Sequence, residues 1–507
     1  MCQGRYEDVM KSSAAIPLVV AGYLYLNLFL LPGTPILLNG DQVFFWMDGQ
    51  RILAGQLPYR DFFQFTAPGT DLFYWATFKI FGTRIWVLNG IVLLLGVVLS
   101  CIGFSVAARI VDRKQAVLAT FLFATLIYSK VLNATHHWFS VLAIMIAIGV
   151  LLPGLSAVRL AVAGGLLGIA SFFTQTHGFV SLVGISLFLR KSTDPNQSWR
   201  RFWKNERLLL IGFAVTFLSL NAYFLATVGV EQLLYYQGFY VLRAKVSRPE
   251  TALLGMPDYR ASHLPLLSLV YDYIQYLAVY TLVPATYFFV YWRAWRRPYE
   301  LACRQPAIAL LAVVGTFLWI EQIFSLNWLR LYTVSLPGIL LFTWLVGMKS
   351  RVRRYVLAAM WLVVIGTAVQ RVWITQHHDY ATVQLPAGQC VIDGPEYEEM
   401  TWLMQHTVPG ESVFDANWPG LYVPLGLRNP VFLDTANTML NPVWAERAVQ
   451  ELEMQRVHYV LWAARLDYPV DPHHPSTGHI VPLRNYVHTR YRYTKTFVNG
   501  EELWERR

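Results

Sequence analysis

Acidic, basic and histidine side chains lie close to where the hydrophobic segments of this sequence end. Asp41, Asp48 and Asp61 follow the first of these segments, within LLNGDQVFFWMDGQRILAGQLPYRDF. Further polar residues beside later segments are His136, His137, Gln175, His177, Arg243, Lys245, Glu321 and Arg330. A carboxylate can deprotonate or orient a hydroxyl group, and the guanidinium of arginine matches the oxygens of a phosphate. These residue types therefore favour a reaction that needs a base and a clamp for phosphate.

The composition is typical of a polytopic membrane protein. Of the 507 residues, 55% are hydrophobic and only 14% are charged, and the mean hydropathy is +0.39. The net charge of +10 does not indicate nucleic acid, because the basic residues gather in alternate loops between the hydrophobic segments. The four cysteines lie in four different parts of the chain, so no disulfide or metal cluster is predicted.

Eleven segments are predicted to span the membrane as helices. A helix needs about 20 apolar residues to cross the hydrocarbon core. The predicted spans are 14–32, 85–108, 115–132, 138–153, 158–174, 176–190, 207–229, 264–291, 307–325, 331–348 and 354–373. The first is expected to be an uncleaved anchor, since no cleavage signal follows its apolar stretch.

Basic residues in alternate loops predict the orientation of these spans. RKSTDPNQSWRRFWKNER follows the sixth span and RAWRRPYELACR the eighth, and the positive-inside rule makes both loops and the N-terminus cytoplasmic. The opposite loops then face outward, together with the chain after 373; they are 33–84, 133–137, 175, 230–263 and 326–330. The candidate polar residues all fall at this outer face. We therefore expect one outward-facing site. A substrate with its phosphate at this site and its apolar tail in the bilayer would be a lipid-linked donor.

The composition changes at about residue 374, where carboxylates and prolines become frequent. We predict a transmembrane domain over 1–373, with amphipathic helices in the outer loop 33–84, and an extracytoplasmic α/β domain over 374–507. In the latter, PEYEEMTWLMQHTV and PVWAERAVQELEMQRV have helical spacing, whereas ESVFDA, PVFLD and VHYVLWAA are typical of short buried strands.

Several candidate residues also have a simpler interpretation. Asp41 follows the turn signal Asn39-Gly40 and could cap a helix, and Asp61 could cap the helix that follows it. Asp48 could support Asp41 or be a solvated surface residue. No Walker-type glycine loop, GxSxG, HExxH or CxxC motif occurs, which counts against an ATP-driven pump, a serine hydrolase and a zinc protease.

The order of these motifs resembles that of the GT-C glycosyltransferases. The similarity is to the branch that contains the protein O-mannosyltransferases, the lipid A aminoarabinose transferase and bacterial membrane proteins like glycosyltransferase family 39. It lies in GDQVFFWMDGQRILAGQLPYRDF, APGTDLFYWATFKIFG, YYQGFYVLRAKV and LRLYTVSLPGILL, and in the outward C-terminal domain. The resemblance implies a polytopic α-helical protein of the plasma membrane, the inner membrane in bacteria, with a C-terminal extracytoplasmic α/β domain.

The resemblance also implies roles for individual residues. The family's catalytic acid after the first span corresponds to Asp41, with Asp48 and Asp61 as supporting acids. Where the family often has Asp-Glu, this chain has Asp41-Gln42, and two lysines often found in the family are replaced by Ala67 and His177. The implied phosphate ligands are Arg243, His177, Arg330 and Lys245, and the implied acceptor or sugar contacts are His136, His137, Gln175 and Glu321.

The implied activity is inverting transfer of a sugar from a polyprenyl-phosphate donor to a hydroxyl group of a lipid, glycan or protein at the outer face. Membrane lipids are expected partners, and nucleic acid is not. No cofactor is expected, and a divalent metal is not indicated by the residues. Two alternatives stay open. The first is a transporter or flippase for lipid-linked saccharide, which would have charges along a central path and paired repeats. The second is a non-catalytic envelope assembly protein, which the presence of Gln42 and the absence of the two lysines would allow.

Overall fold

The computed structural model describes residues 15–192, 199–242, 266–296, 305–322, 328–348, 352–439, 441–467 and 478–507. The chain forms two compact units. The helical unit comprises Met1–Asn27, Val92–Tyr223 and Glu250–Gln376, and the sheet unit comprises Leu28–Ile91, Phe224–Pro249 and His377–Arg507. The boundary predicted between 373 and 374 stays a prediction.

Helices account for most of the chain before His377. In chain order they are α1 (Ala15–Leu28), α2 (Gln42–Leu53), α3 (Gly69–Phe81), α4 (Ile85–Ala107), α5 (Arg113–Leu122), α6 (His136–Leu151), α7 (Ala157–Phe173), α8 (Gln175–Ser192), α9 (Trp199–Thr227), α10 (Val230–Leu234), α11 (Leu266–Leu277), α12 (Val283–Arg296), α13 (Gln305–Glu321), α14 (Trp328–Thr333), α15 (Leu336–Val346) and α16 (Arg353–His377). Short π-helical turns follow α5, α10 and α11, at Phe123–Ile127, Tyr235–Tyr240 and Ala278–Leu282.

Each predicted span overlaps at least one of these helices, and the spans 264–291 and 331–348 overlap two each. Among the described residues, α4, α9 and α16 are long and apolar enough to cross a membrane by length and composition. The count of eleven spans therefore stays a prediction. Helices α2 and α3 lie in the loop 33–84.

Glycines allow close helix packing in the helical unit. A Cβ on Gly164 of α7 would lie 2.0 Å from the carbonyl oxygen of Leu209, and one on Gly212 of α9 would lie 2.1 Å from that of Ala161. Small residues at such positions let two backbones approach closely. The resulting van der Waals packing stabilises helix pairs in lipid, where no hydrophobic driving force acts between helices. The α7–α9 contact therefore requires glycine on both helices.

Strands and short helices make up the C-terminal part of the sheet unit. The helices are α17 (Gly394–His406), α18 (Tyr422–Leu425), α19 (Pro442–Met454) and α20 (Val481–Arg490). The strands are β3 (Tyr380–Leu385), β4 (Gly388–Asp393), β5 (Val413–Asp415), β6 (Tyr459–Ala463), β7 (Tyr491–Thr496) and β8 (Glu501–Arg506), after a two-residue pair near the start of the unit, β1 (Phe29–Leu30) and β2 (Thr34–Pro35). The four-stranded sheet has the order β5-β6-β8-β7, in which β5 and β6 are parallel and the other pairs antiparallel. Strands β3 and β4 form a separate antiparallel hairpin.

Two predicted helices and two of the three predicted strands of this region are confirmed as α17, α19, β5 and β6. The prediction of a strand at PVFLD is wrong, because side chains accept the hydrogen bonds of backbone amides in this stretch. The Val431 amide donates to Asn429 Oδ1 at 3.0 Å, and the Phe432 amide donates to Glu451 Oε2 at 2.7 Å. Donors that are satisfied in this way do not need a neighbouring strand.

The loop after α1 packs against the C-terminal strands within the sheet unit. The amide of Leu37 donates to the carbonyl of Val391 at 2.8 Å, and the amide of Phe63 donates to that of Phe432 at 2.8 Å. Met47 of α2 lies in the same hydrophobic core as Leu403, Leu461 and other C-terminal residues. The C-terminal region therefore fixes the position of the acidic loop.

Candidate functional site

Asp41 lies at the start of α2, after a tight turn. Gly40 has a φ of +91°, a conformation that glycine adopts without strain, and the amide of Val43 donates to the Gly40 carbonyl at 3.1 Å. Asp41 occupies the N-cap position, but its side chain accepts no capping hydrogen bond from the first turn of the helix. The capping interpretation of its carboxylate is therefore not supported by the geometry.

Side-chain hydrogen bonds of Asn39 link this turn to the C-terminal region. Trp418 Nε1 donates to Asn39 Oδ1 at 2.6 Å, and Asn39 Nδ2 donates to Glu396 Oε1 at 3.0 Å. The same Oδ1 accepts from the Gly40 amide at 2.7 Å, and the rings of Phe44 and Trp418 meet edge to face at 4.9 Å. The position of the backbone next to Asp41 thus depends on residues nearly 400 positions later.

Gln42 is a structural part of the turn. It is fully buried, and its Nε2 donates to the carbonyl of Asn39 at 3.1 Å. An ionised glutamate at this position has no donor for that carbonyl. The exchange of the family's Glu for Gln42 is therefore accompanied by a hydrogen bond that closes the turn before Asp41.

Asp48 is fully buried, so the interpretation of Asp48 as a solvated residue is wrong. It lies on the face of α2 that packs against α3, and its Oδ2 accepts from Gln64 Nε2 at 2.9 Å. The same nitrogen donates to Oδ2 of Asp71 on α3, also at 2.9 Å, and Asp71 is equally buried. One amide thus links two buried carboxyl groups.

Electrostatics in this buried group favour protonated carboxyls. Burial, and then Asp434 and Asp71, raises the pKa of Asp48 well above its ordinary value. Burial also raises the pKa of Asp71 well above its ordinary value, against the effect of the Gln64 hydrogen bond. Burial raises the pKa of Asp434 to about 7, although Arg51 opposes the shift. At neutral pH Asp48 and Asp71 are therefore poor candidates for an ionised general base.

Asp61 closes a local turn. Its Oδ2 accepts from the Leu57 amide at 2.8 Å and pairs with Arg60 at 2.7 Å. The hydrogen bond from Arg60 and the one from the Leu57 backbone lower the pKa of Asp61, in spite of partial burial. These contacts stabilise the loop between α2 and α3, and a supporting role for Asp61 in chemistry stays a prediction.

Raising the pH is expected to destabilise the sheet unit through the buried acids. The folded state holds protons on Asp48, Asp71 and Asp434, and the unfolded chain releases them above its carboxyl pKa of about 4. Their stabilising contribution is complete below that pH. It is lost as the pH rises through the pKa values of the folded state, and the pKa of Asp434 in the folded state is about 7. Melting temperatures measured between about pH 5 and pH 8 should fall less in Asp48→Asn than in the wild type. Equal slopes would contradict this assignment.

A histidine cluster lies in the helical unit. His177 of α8 is fully buried; its Nδ1 lies 2.7 Å from Ser140 Oγ, and its Nε2 lies 3.2 Å from Gln322 Nε2 and 3.6 Å from Glu321 Oε2. The ring of His137 lies 5.2 Å from that of His177. Three helices, α6, α8 and α13, therefore bring together side chains that are distant in the sequence.

The remaining candidate residues are placed as follows. The ring centroids of His136 and His137 lie 3.9 Å apart with the planes tilted by 38°, and Arg330 of α14 is close enough to His136 to interact with it electrostatically. Gln175 is the first residue of α8. Arg243 and Lys245 lie outside the described residues. The assembly of all candidates into one site stays a prediction.

Two residues of these clusters carry no local sequence signal for a site. Gln64 is a neutral amide, and Asp434 lies in a stretch that is predicted as a strand. Among the described residues, no group of three or more His, Cys, Asp or Glu side chains has the arrangement of a metal site.

Comparison with solved structures identifies the fold. No known family model matches the sequence, and no curated protein matches it. The structure is similar to the apo oligosaccharyltransferase of Archaeoglobus fulgidus, with 13% identity, 96% of this chain and 74% of that chain covered, and a TM-score of 0.53. It is also similar to ArnT from Cupriavidus metallidurans, with 11% identity in both states. The match to ArnT with bound undecaprenyl phosphate covers 97% of this chain and 96% of the ArnT chain, with a TM-score of 0.58. The match to apo ArnT covers 98% of each chain, with a TM-score of 0.59.

Oligosaccharyltransferase and ArnT are both GT-C glycosyltransferases. The chain has the GT-C fold. The structure is mostly helical, as predicted, and these neighbours are polytopic membrane proteins. The similarity extends over nearly the whole chain.

Proposed function

We propose that this protein is an inverting membrane glycosyltransferase that moves a sugar from a polyprenyl-phosphate donor to a hydroxyl group at the outer face of the plasma membrane. The observation that carries the proposal is the position of Asp41 at the start of α2 in a GT-C fold, on a turn fixed by Asn39 and Trp418. The solved ArnT structure with undecaprenyl phosphate supports a donor of this class.

The proposed reaction is a single displacement. The acceptor oxygen forms a bond to the anomeric carbon, while the bond from that carbon to the phosphate oxygen breaks and polyprenyl phosphate leaves. The proton of the acceptor hydroxyl passes to the Asp41 carboxylate. We assign the phosphate to His177 and Arg330 with Arg243 and Lys245, because basic groups stabilise the charge that develops on the leaving group. His136, His137, Gln175 and Glu321 are the proposed contacts to the sugar or acceptor.

A transfer assay tests this proposal. Purified protein is incubated with a labelled polyprenyl-phosphate hexose or the matching nucleotide hexose, and with a panel of membrane lipids, glycans and peptides. We expect label to move to an acceptor from the lipid donor and not from the nucleotide, with inverted anomeric configuration in the product by NMR. Transfer from the nucleotide alone, retained configuration, or no transfer with any donor would overturn the proposal.

A further inference from the structure

A chain of hydrogen bonds runs through the ring of His177 in the helical unit. The hydroxyl of Ser140 on α6 donates to the carbonyl of His137 at 2.8 Å, and its Oγ lies 2.7 Å from Nδ1 of His177. On the other side of the ring, Nε2 of Gln322 lies 3.2 Å from Nε2 of His177 and also donates to Oε2 of Glu321. Both Ser140 and His177 are fully buried. The tautomer of a histidine follows from the hydrogen bonds around it, so this chain defines the state of the ring.

The hydroxyl of Ser140 has one proton, and its two partners decide where that proton lies. The carbonyl oxygen of His137 can only accept, so the two oxygens at 2.8 Å would repel each other unless the hydroxyl donates to the carbonyl. A lone pair of the hydroxyl then faces Nδ1 of His177 at 2.7 Å. Because a lone pair can only accept, Nδ1 of His177 carries a hydrogen in this arrangement.

The amide of Gln322 assigns the other ring nitrogen in the same way. An amide nitrogen donates and does not accept, so its contact at 3.2 Å requires a lone pair on Nε2 of His177. The opposite orientation of the amide would place its oxygen against Oε2 of Glu321, and two acceptor oxygens would repel each other. The amide therefore directs one hydrogen to the ring and the other to the carboxylate. In this arrangement His177 is neutral, with its proton on Nδ1.

We infer that Ser140 is a positioning residue that, together with the amide of Gln322, keeps His177 neutral with its proton on Nδ1, and that the ring takes up a second proton on Nε2 when the phosphate of the donor binds. The phosphate as a ligand of His177 rests on the proposed function, whereas the state of the ring in the free protein does not. A phosphate oxygen and an unprotonated Nε2 are both acceptors, so a hydrogen bond between them needs a proton. Solvent supplies this proton, which bonds to Nε2 and takes the place of the amide hydrogen of Gln322.

Charged and titratable groups around the ring set the balance of this protonation. Oε2 of Glu321 on α13 lies 3.6 Å from Nε2 of His177, and its negative charge favours the imidazolium. The ring of His137 on α6 lies 5.2 Å away, and His136 beside it interacts electrostatically with His177 and with Arg330 on α14. These basic groups oppose a further positive charge on the ring. The negative charge of a bound phosphate adds to that of Glu321 and shifts the balance to the protonated ring.

Binding of the donor is then coupled to pH. The bound state holds one proton more than the free state, so the affinity for the donor weakens as the pH rises, by up to about tenfold for each pH unit. A polyprenyl-phosphate hexose is a phosphodiester, which keeps one negative charge near neutral pH. The proton is therefore taken up by the protein and not by the ligand.

Two measurements on the purified full chain test the inference. NMR of protein with ¹⁵N-labelled histidine reports the protonation of each ring nitrogen, and the spectrum of His177→Gln identifies the signals of His177. We expect a protonated Nδ1 and an unprotonated Nε2 in the free wild-type protein. Calorimetric titration with a polyprenyl-phosphate hexose, in two buffers of different ionisation enthalpy, should show proton uptake by the wild type at neutral pH.

Ser140→Ala should move the proton of the free ring from Nδ1 to Nε2, because Nδ1 loses its acceptor while Glu321 still faces Nε2. The ring can then donate to the phosphate without a second proton, so the proton uptake should fall at least about twofold. The matched control is Ser335→Ala, which removes the same hydrogen bond to the carbonyl three residues earlier from an equally buried serine. The control should keep the tautomer and the proton uptake of the wild type, because a loss of packing alone does not move a ring proton.

Three results would overturn the inference. A protonated Nε2 on the free wild-type ring would contradict the tautomer, and an unchanged tautomer in Ser140→Ala would show that Ser140 does not position the proton. Donor binding without proton uptake would exclude the protonation of His177. The proposed function fails separately, through the absence of transfer from any donor. If no donor binds although the free ring has its proton on Nδ1, the positioning role is supported and the protonation step fails with the proposed function.

Discussion

Asp41→Asn is expected to lower the rate of sugar transfer by about 10²–10⁴-fold, the usual effect of losing a general base. The asparagine amide cannot take the proton of the acceptor hydroxyl, although it has nearly the same shape as the carboxylate. The turn itself should persist, because the bonds that fix it run through Asn39, Gln42 and Trp418 and the Asp41 side chain does not cap α2. The loss should therefore appear in kcat, with little change in the KM for the donor.

The measurement compares initial rates of transfer from a labelled polyprenyl-phosphate hexose, together with the melting temperature of each variant. The matched control is Asp379→Asn, which makes the same chemical change at an exposed position of the sheet unit. It should keep the wild-type rate. A rate in Asp41→Asn within about threefold of the wild type, well below the effect of a lost base, would remove Asp41 from the mechanism, and a lowered melting temperature would indicate a structural role.

The helices of this protein were predictable because their signal is local. A run of about 20 apolar residues is visible in the sequence without knowledge of its partners. Asp41 is a candidate for the same reason, since it follows the first run directly. The hairpin of β3 and β4 and the strands β7 and β8 were missed, because short strands take their identity from pairing with distant segments.

The surroundings of Asp41 show what sequence patterns do not contain. The contact between Asn39 and Trp418 joins positions 379 residues apart, and neither residue type indicates a partner. The sequence allows Asp48 to be a solvated surface residue, yet the packing of α2 against α3 buries it completely. Helical periodicity assigns a residue to a face, but tertiary packing decides what covers that face.

Gln64 illustrates a further limit of prediction from sequence, since its neutral amide links the buried acids Asp48 and Asp71. Its Oε1 accepts from the amides of Phe65 and Thr66 at 2.8 and 2.9 Å, while its Nε2 donates to both buried carboxyls. Composition treats glutamine as an ordinary polar residue. Only the folded structure shows that two acids, on α2 and α3, depend on it.

Gln64→Met is expected to lower the free energy of unfolding of the sheet unit by at least about 3 kcal/mol. Methionine has a similar length, but it cannot donate to Asp48 or Asp71 and accepts only weakly from the backbone amides of the loop. Each buried polar group left without a partner costs about 1–3 kcal/mol, and Asp48 and Asp71 already have one buried oxygen each to which no described residue donates a hydrogen bond. Urea unfolding followed by tryptophan fluorescence measures the loss. The control Gln450→Met, on the exposed side of α19, should unfold as the wild type does. A loss below about 1 kcal/mol in Gln64→Met, the lower limit for one such group, would show that the acids find other donors, such as water. A large loss would show that this single amide stabilises the contact between α2 and α3 in the acidic loop.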